Sequence, residues 1–149
     1  MDEKKYSALQ LENQLCFPLY ACSRETIKLY TPHLDALGLT YTQYIAMMVL
    51  WKRKSVTVKA LGEELFLDSG TLTPLLKKLE TKGLVSRRRS TMDERNLIVT
   101  ITEEGMRLRE EALEIPAKMA QCVNLEPQGV HTLYTLLYKM LDRRSDTNE

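Results

Sequence analysis

The stretch that most constrains this chain is residues 65–89, LFLDSGTLTPLLKKLETKGLVSRRR, where a helical repeat, a glycine stop and a basic extended segment follow one another without a break. Leu72, Leu75, Leu76 and Leu79 recur at i, i+3, i+4 and i+7, so they share one helix face and need a core to pack against. Thr71, Thr73, Lys77 and Lys78 occupy the opposite face. Asp68 and Ser69 are residue types that cap a helix start, and Gly83 suits the position just past its end. Small hydroxyl residues followed by lysines fit a helix that approaches a nucleic-acid groove. The same polar face is also what any solvated surface helix presents.

Charge favours the first reading. The whole chain of 149 residues carries a formal charge of only +1, so any affinity for phosphate has to be local. Residues 77–95 supply it: Lys77, Lys78, Lys82, Arg87, Arg88, Arg89 and Arg95 stand against Glu80, Asp93 and Glu94, a local net of +4. Residues 102–126 hold six acids against Arg107, Arg109 and Lys118, which confines the positive field to one part of the molecule. The length fits one domain spanning residues 1–149. No apolar run approaches the ~20 residues of a membrane span, and the N-terminus lacks a signal-peptide core, so a soluble cytoplasmic protein is expected. Cys16, Cys22 and Cys122 are too few and too scattered for a secreted disulfide framework, and in a reducing compartment they start as thiols.

Taken in order, the apolar positions Leu11, Leu15, Leu19, Cys22 and Leu29 predict a long first helix over about residues 9–30, kinked by Pro18 just after Cys16. Pro32 ends that helix or starts a short second one, and Gly38 stops it. Thr40 or Thr42 caps a buried helix over residues 43–51, apolar almost all round and central to its domain. Thr57 caps a short helix with Val58, Leu61 and Leu65 inward, so residues 57–82 read as helix-turn-helix. Residues 84–90 and 96–102 form a hairpin wing, with Leu97, Val99 and Ile101 alternating inward. Thr102 caps a long acidic helix over residues 103–122, bent near Pro116, and Glu126-Pro127 begins a last helix. The last helix carries Val130, Leu133, Leu137 and Leu141 on one face, either as a monomer core or as half of a dimer seam, and residues 144–149 read as a disordered tail. The fold class is mainly α with a small β-wing.

With that layout in place, LGEELFLDSGTLTPLLKKLETKGLVSRRRSTMDERNLIVTITEEG resembles the DNA-binding lobe of the MarR family of winged helix-turn-helix regulators, including the wing's Asp93-x-Arg95. The segment LENQLCFPLYACSRE resembles the organic-hydroperoxide-sensing branch of that family, in which a cysteine of the first helix senses oxidants. The resemblance implies a lobe over residues 42–102 and dimerisation helices over residues 8–38 and 103–143. It further implies a homodimer, without membrane contact or cofactor, that acts as a repressor on a palindromic double-stranded operator. Dimers of this type need half-sites about one duplex turn apart, ~34–36 Å, so a change in lobe spacing can abolish binding. Ser69, Thr71 and Thr73 are then expected at base edges or nearby phosphates, and Lys77, Lys78 and Arg88 on the DNA backbone. Arg95 matches the family arginine that enters the minor groove, braced by Asp93.

The sensor chemistry rests on the same resemblance. A thiolate, not a thiol, attacks a peroxide, and an ordinary cysteine with a pKa of about 8.5 is only slightly ionised near neutrality. Cys16 therefore needs help, which the resemblance assigns to hydroxyls of Tyr30 and Tyr41 from the other subunit. Tyr20, one turn from Cys16, reads as a core aromatic, and Cys22, on the leucine stripe, as a packed thiol. Cys122 is similar in position to the resolving cysteine of two-cysteine members. Oxidation of Cys16 then ends in an intersubunit disulfide with Cys122 or in a mixed disulfide with a small thiol. Two prolines depart from expectation. Pro18 stands where the branch has an aliphatic residue. Pro74 falls well inside the recognition helix if Asp68 caps it, whereas propensity alone would start the helix at Thr73; the resemblance keeps the longer helix with a local distortion.

Three other readings compete. A repressor released by a small aromatic ligand would leave Cys16 incidental. A thiol peroxidase is disfavoured because the chain has neither the proline-threonine-cysteine signature nor a thioredoxin-like βαβ pattern, so no enzyme is expected. A dimerisation module without DNA binding is the third. A metal site finds no support, since His33 and His131 stand alone and no cysteine pair has ligand spacing.

Overall fold

The computed structural model describes residues 3–93 and 95–145. The chain divides into two compact units, Met1–Ile115 and Pro116–Glu149.

The first unit begins with two short 3-10 turns, Glu3–Leu9 and Leu11–Asn13, and helix α1 starts only at Cys16, running Cys16–Asp35. The expected start near Leu9 is therefore too early. Side chains explain the difference: Asn13 Nδ2 donates to Ser7 O (2.7 Å), while Gln14 Nε2 donates to Ala8 O (2.6 Å) and Gln10 O (2.8 Å). These bonds satisfy carbonyls that an α-helix would need for its own ladder. Pro18 consequently lies in the first turn of α1 rather than inside a helix already under way, at a position where a missing N–H costs little. Pro32 neither ends nor restarts the helix; it sits exposed inside α1. The stop is Gly38, at φ 68°, with Gly38 N donating to Asp35 O and Leu39 N to Leu34 O. This pair of bonds satisfies the last carbonyls and turns Leu34 and Leu39 into the core.

Helix α2 spans Tyr41–Arg53 and opens on a capping box in which Thr40 Oγ1 accepts from Gln43 N while Gln43 Oε1 accepts from Thr40 N. It is central as expected: Ala46, Met47 and Leu50 are fully buried, although Met48 faces outward. A three-residue strand β1, Ser55–Thr57, follows, which the sequence pattern did not reveal. Then come α3 (Val58–Leu65), capped by Thr57, and α4 (Ser69–Thr81), capped by Asp68. Helix α4 has the longer extent, with Pro74 inside it and Leu72, Leu75, Leu76 and Leu79 buried. Gly83, at φ 76°, repeats the closing device of α1: Gly83 N donates to Glu80 O and Leu84 N to Leu79 O.

Strands β2 (Val85–Arg89) and β3 (Leu97–Ile101) form the hairpin, and β1 adds to its other side, giving an antiparallel sheet of order β1-β3-β2. Val99, wholly buried, pairs with Val56 on one side and Arg87 on the other. Helix α5, Glu103–Ala112, is capped by Thr102, whose hydroxyl also donates to Gly83 O (2.7 Å). At Gly105 a Cβ would collide with Leu84 O and press on Ile101 Cγ1 at 2.7 Å, so only glycine lets α5 sit this close to the sheet. The expected single acidic helix to Cys122 is in fact two, because Pro116 cannot bond to Ala112 O and the chain breaks before restarting as α6, Ile115–Ala120.

In the second unit, Pro127 opens α7, Pro127–Ser145, at a position where its missing N–H is harmless. Arg144 and Ser145 continue this helix rather than beginning a disordered tail, and residues 146–149 of that expectation lie outside the described residues. Val130 and Leu133 are exposed on α7.

Candidate nucleic-acid interface and thiol sensor

The polar face of α4 is available as the sequence requires. Ser69, Thr71, Thr73, Lys77 and Lys78 are all exposed. The two threonines are not equivalent, however. Thr71 N donates to Asp68 Oδ1 (2.7 Å) and its hydroxyl also serves that carboxylate, so Thr71 is part of the cap. These bonds hold the Asp68 carboxyl below its usual range. Thr73 Oγ1 donates to Ser69 O (2.8 Å), which fixes its rotamer and leaves its lone pairs outward.

The wing places charge at its tip. Asp93 Oδ1 accepts from the backbone N–H of Arg95 (3.0 Å) and lies 3.5 Å from its Nε. Asp93 also accepts, through its backbone carbonyl, from Asn96 N (2.9 Å), which closes the tip turn. The Arg95 side chain remains 93% exposed and projects from that turn. Arg88 is exposed on β2, opposite Ile98. Sequence reasoning missed a second pairing: Glu80 of α4 accepts from Arg87 N (3.0 Å) and from Arg87 Nη2 (3.2 Å). Arg87 entered the sequence reading only as part of the local charge; the visible signal was an acid and a base seven residues apart across the Gly83 turn.

Cys16 is exposed and is the first residue of α1. Leu15, at the N-cap position, offers no side-chain acceptor, and Pro18 has no N–H, so of the helical residues in the first turn only Cys16 and Phe17 carry N–H groups outside the intrahelical ladder. Tyr30 and Tyr41 are brought together, with ring centroids 5.0 Å apart, and Tyr44 joins them at 5.8 Å and 6.4 Å. Burial, and then the neighbouring Tyr41, push the Tyr30 phenol above its usual pKa, so it stays a protonated donor at any physiological pH. Tyr44 in turn stacks edge-on against Trp51, whose Nε1 donates to Gly105 O (2.9 Å). The tyrosine pair is not near the Cys16 of its own chain. Both Cys16 and Tyr30 lie on α1, and the fourteen-residue step from one to the other spans about 21 Å of helix axis.

Two expectations fail here. Tyr20 is not a core aromatic; it is 57% exposed, and the Arg24 guanidinium lies 5.5 Å from its ring centroid. Cys22 is exposed rather than packed. Leu11, Leu15 and Leu19, the stripe on which Cys22 was placed, are themselves exposed. Cys122 is exposed in the turn after α6, within the second unit, and its thiol donates to Lys118 O (3.6 Å).

A capped helix-turn-helix followed by a β-hairpin wing with an arginine at its tip, the hairpin extended by β1 into a three-stranded sheet, defines a winged helix-turn-helix protein. A family model described as transcriptional regulator SarA/Rot matches residues 28–112. The organic hydroperoxide resistance transcriptional regulator of Bacillus subtilis is 45% identical over 146 residues, covering 98% of this chain and 99% of the relative. Among solved structures, overoxidized AbfR bound to DNA is 35% identical at TM-score 0.77, covering 93% of this chain and 98% of that one. AbfR, from Staphylococcus epidermidis, in its disulfide-formed state is 35% identical at TM-score 0.65, covering 95% and 99%. A cysteine-to-serine mutant of MarR from E. coli, complexed with operator DNA, is 26% identical at TM-score 0.78, covering 85% and 93%. The chain belongs to the MarR family of winged helix-turn-helix transcriptional regulators, in its organic-hydroperoxide-resistance branch. The Bacillus subtilis relative is a transcriptional regulator, and the AbfR and MarR structures include complexes with DNA. Among the described residues no helix is long and apolar enough to cross a membrane.

Proposed function

We propose that this chain is a homodimeric, DNA-binding repressor that leaves a palindromic operator when an organic hydroperoxide oxidises Cys16. Ser69, Thr71 and Thr73 approach base edges or phosphates, Lys77, Lys78 and Arg88 neutralise phosphates, and Arg95, held by Asp93, enters the minor groove. The exposed leucines of the first segment and of α7 are the surfaces that a second copy covers. DNA-bound relatives and a relative with a formed disulfide support this reading, and the chain superposes better on the DNA-bound AbfR than on the disulfide-formed one.

The observation that carries the sensor is the separation along α1. Cys16 is exposed, and Tyr30 of the tyrosine pair lies about 21 Å away along the same helix, with Tyr41 beside it at the start of α2, so in this reading the hydroxyls that stabilise the thiolate come from a second copy with its α1 reversed. The Cys16 thiolate attacks the terminal peroxide oxygen, releasing an alcohol and leaving a sulfenic acid. The thiol of Cys122 of the partner subunit then displaces that oxygen as water and forms the disulfide. Such a bond ties the two copies together and moves the recognition helices off their one-turn spacing.

Non-reducing electrophoresis after mild cumene hydroperoxide treatment tests the bond directly. Wild type should run as a covalent dimer, and Cys16→Ser and Cys122→Ser should both run as monomers. A wild-type band that stays monomeric while Cys16 gains the mass of an added small thiol would replace the intersubunit bridge with a mixed disulfide.

A further inference from the structure

Helix α4 and the wing are joined in sequence only by the short turn around Gly83, yet both are assigned to the same DNA. Strand β2 lies at the edge of the sheet, so its outward N–H groups have no strand to pair with. At Arg87, one of these is taken by Glu80. One carboxylate oxygen accepts from the Arg87 backbone N–H at 3.0 Å, and the other accepts from its guanidinium at 3.2 Å. The Arg87 side chain is only 18% exposed, and its Nε is buried without a hydrogen-bond partner, so Glu80 supplies the one charge partner that holds this cation in place among the described residues. On its other side Arg87 pairs with Val99, the fully buried centre of the sheet.

We propose that Glu80 and Arg87 form a positioning clamp that makes the recognition helix and the wing engage DNA as one rigid unit. The clamp rests on the reading of α4 and Arg95 as DNA contacts. Arg87 lies two residues before the end of β2 at Arg89, with the tip turn of Asp93 and Arg95 beyond it, so a tilt at the clamp is carried outward to Arg95. A shift of about an ångström is enough to break a hydrogen bond made by Arg95. Glu80 and Arg87 touch no DNA themselves. Their effect is to make the binding contributions of α4 and the wing depend on each other.

A double-mutant cycle reads this dependence. Dissociation constants would be measured for a duplex selected from a random-sequence library for tight binding to the wild-type protein. Arg95→Ala should weaken wild type on the order of tenfold, and should weaken Glu80→Ala by about threefold or less, because an unclamped wing no longer delivers the contact. Thr40→Ala, which removes the cap of α2 without touching Glu80 or Arg87, lowers the melting temperature and should leave the full Arg95 penalty in place. Glu80→Gln, whose amide oxygen can still accept from Arg87 N, should retain part of the coupling. If Glu80→Ala does not fold, Arg87→Gln replaces it, again with a reduced Arg95 penalty expected. An Arg95 penalty that is the same with and without Glu80 overturns the clamp. An Arg95→Ala variant that binds as tightly as wild type removes the wing contact itself, and the clamp with it.

Discussion

The lobe around α4 and the terminal helices carry the same leucine periodicity and reach opposite ends. Leu72, Leu76 and Leu79 on α4 are 0–1% exposed, whereas Leu15 is 74% and Leu133 is 45% exposed. A helical stripe therefore specifies that a face will be covered, not what will cover it. In the lobe the covering elements are α2, α3 and the sheet of the same chain. The terminal stripes stay exposed, and a second copy is the covering surface in the function proposed above.

The sharpest way to break this contrast is a matched pair of truncations. Leu76→Ala should destabilise the protein by about 2–5 kcal/mol in urea unfolding, at every protein concentration. Leu133→Ala should act mainly through self-association, so its effect on the unfolding midpoint should shrink as protein concentration rises. Equal, concentration-independent losses would mean that both stripes belong to one monomeric core.

Gly105→Ala is expected to come next, costing about 1–3 kcal/mol because the new methyl group meets Leu84 O and Ile101. Chemical denaturation of the lobe would measure it, and a neutral result would show that α5 can retreat from the sheet. Thr40→Ala should cost about 1 kcal/mol by removing the capping box of α2, again read from the urea midpoint.

The smallest expected effect is on pH dependence. Asp68, through its bonds from Thr71, and Glu80, through its bonds from Arg87, titrate below the usual carboxylate range in the folded lobe. The unfolded chain then binds protons first as pH falls, so their stabilisation is complete above about pH 4–5 and is lost as pH drops through the folded values. The urea midpoint should fall on acidification below that range, and Asp68→Asn should make the fall shallower. An equally steep fall in the variant would place the acid sensitivity elsewhere.

These differences also explain what could be read from the chain alone. The lobe was legible because its signals are local: Asp68 and Thr57 cap their helices, Gly83 ends α4, and leucines repeat at helical spacing. Strand β1 was not, since its three residues are defined only by pairing with β3 more than forty positions away. The start of α1 depended on amide side chains at Asn13 and Gln14 taking carbonyls from the preceding turns, a choice that leaves no periodicity behind. At the candidate site, Asp93 and Arg95 were recognisable from their motif, whereas Glu80 with Arg87 needed the fold to bring a helix against a strand edge. Exposure of Cys22 and Tyr20 left no local signal, because helical spacing tells which residues share a face and not what covers it.

The most direct test of the thiol switch is a DNA titration of reduced wild type and Cys16→Ser, each with and without an organic hydroperoxide, against the same selected duplex. Wild type should lose its affinity on treatment and regain it with dithiothreitol, while Cys16→Ser should bind alike in both conditions. Release of the serine variant as readily as wild type would contradict a switch based on Cys16.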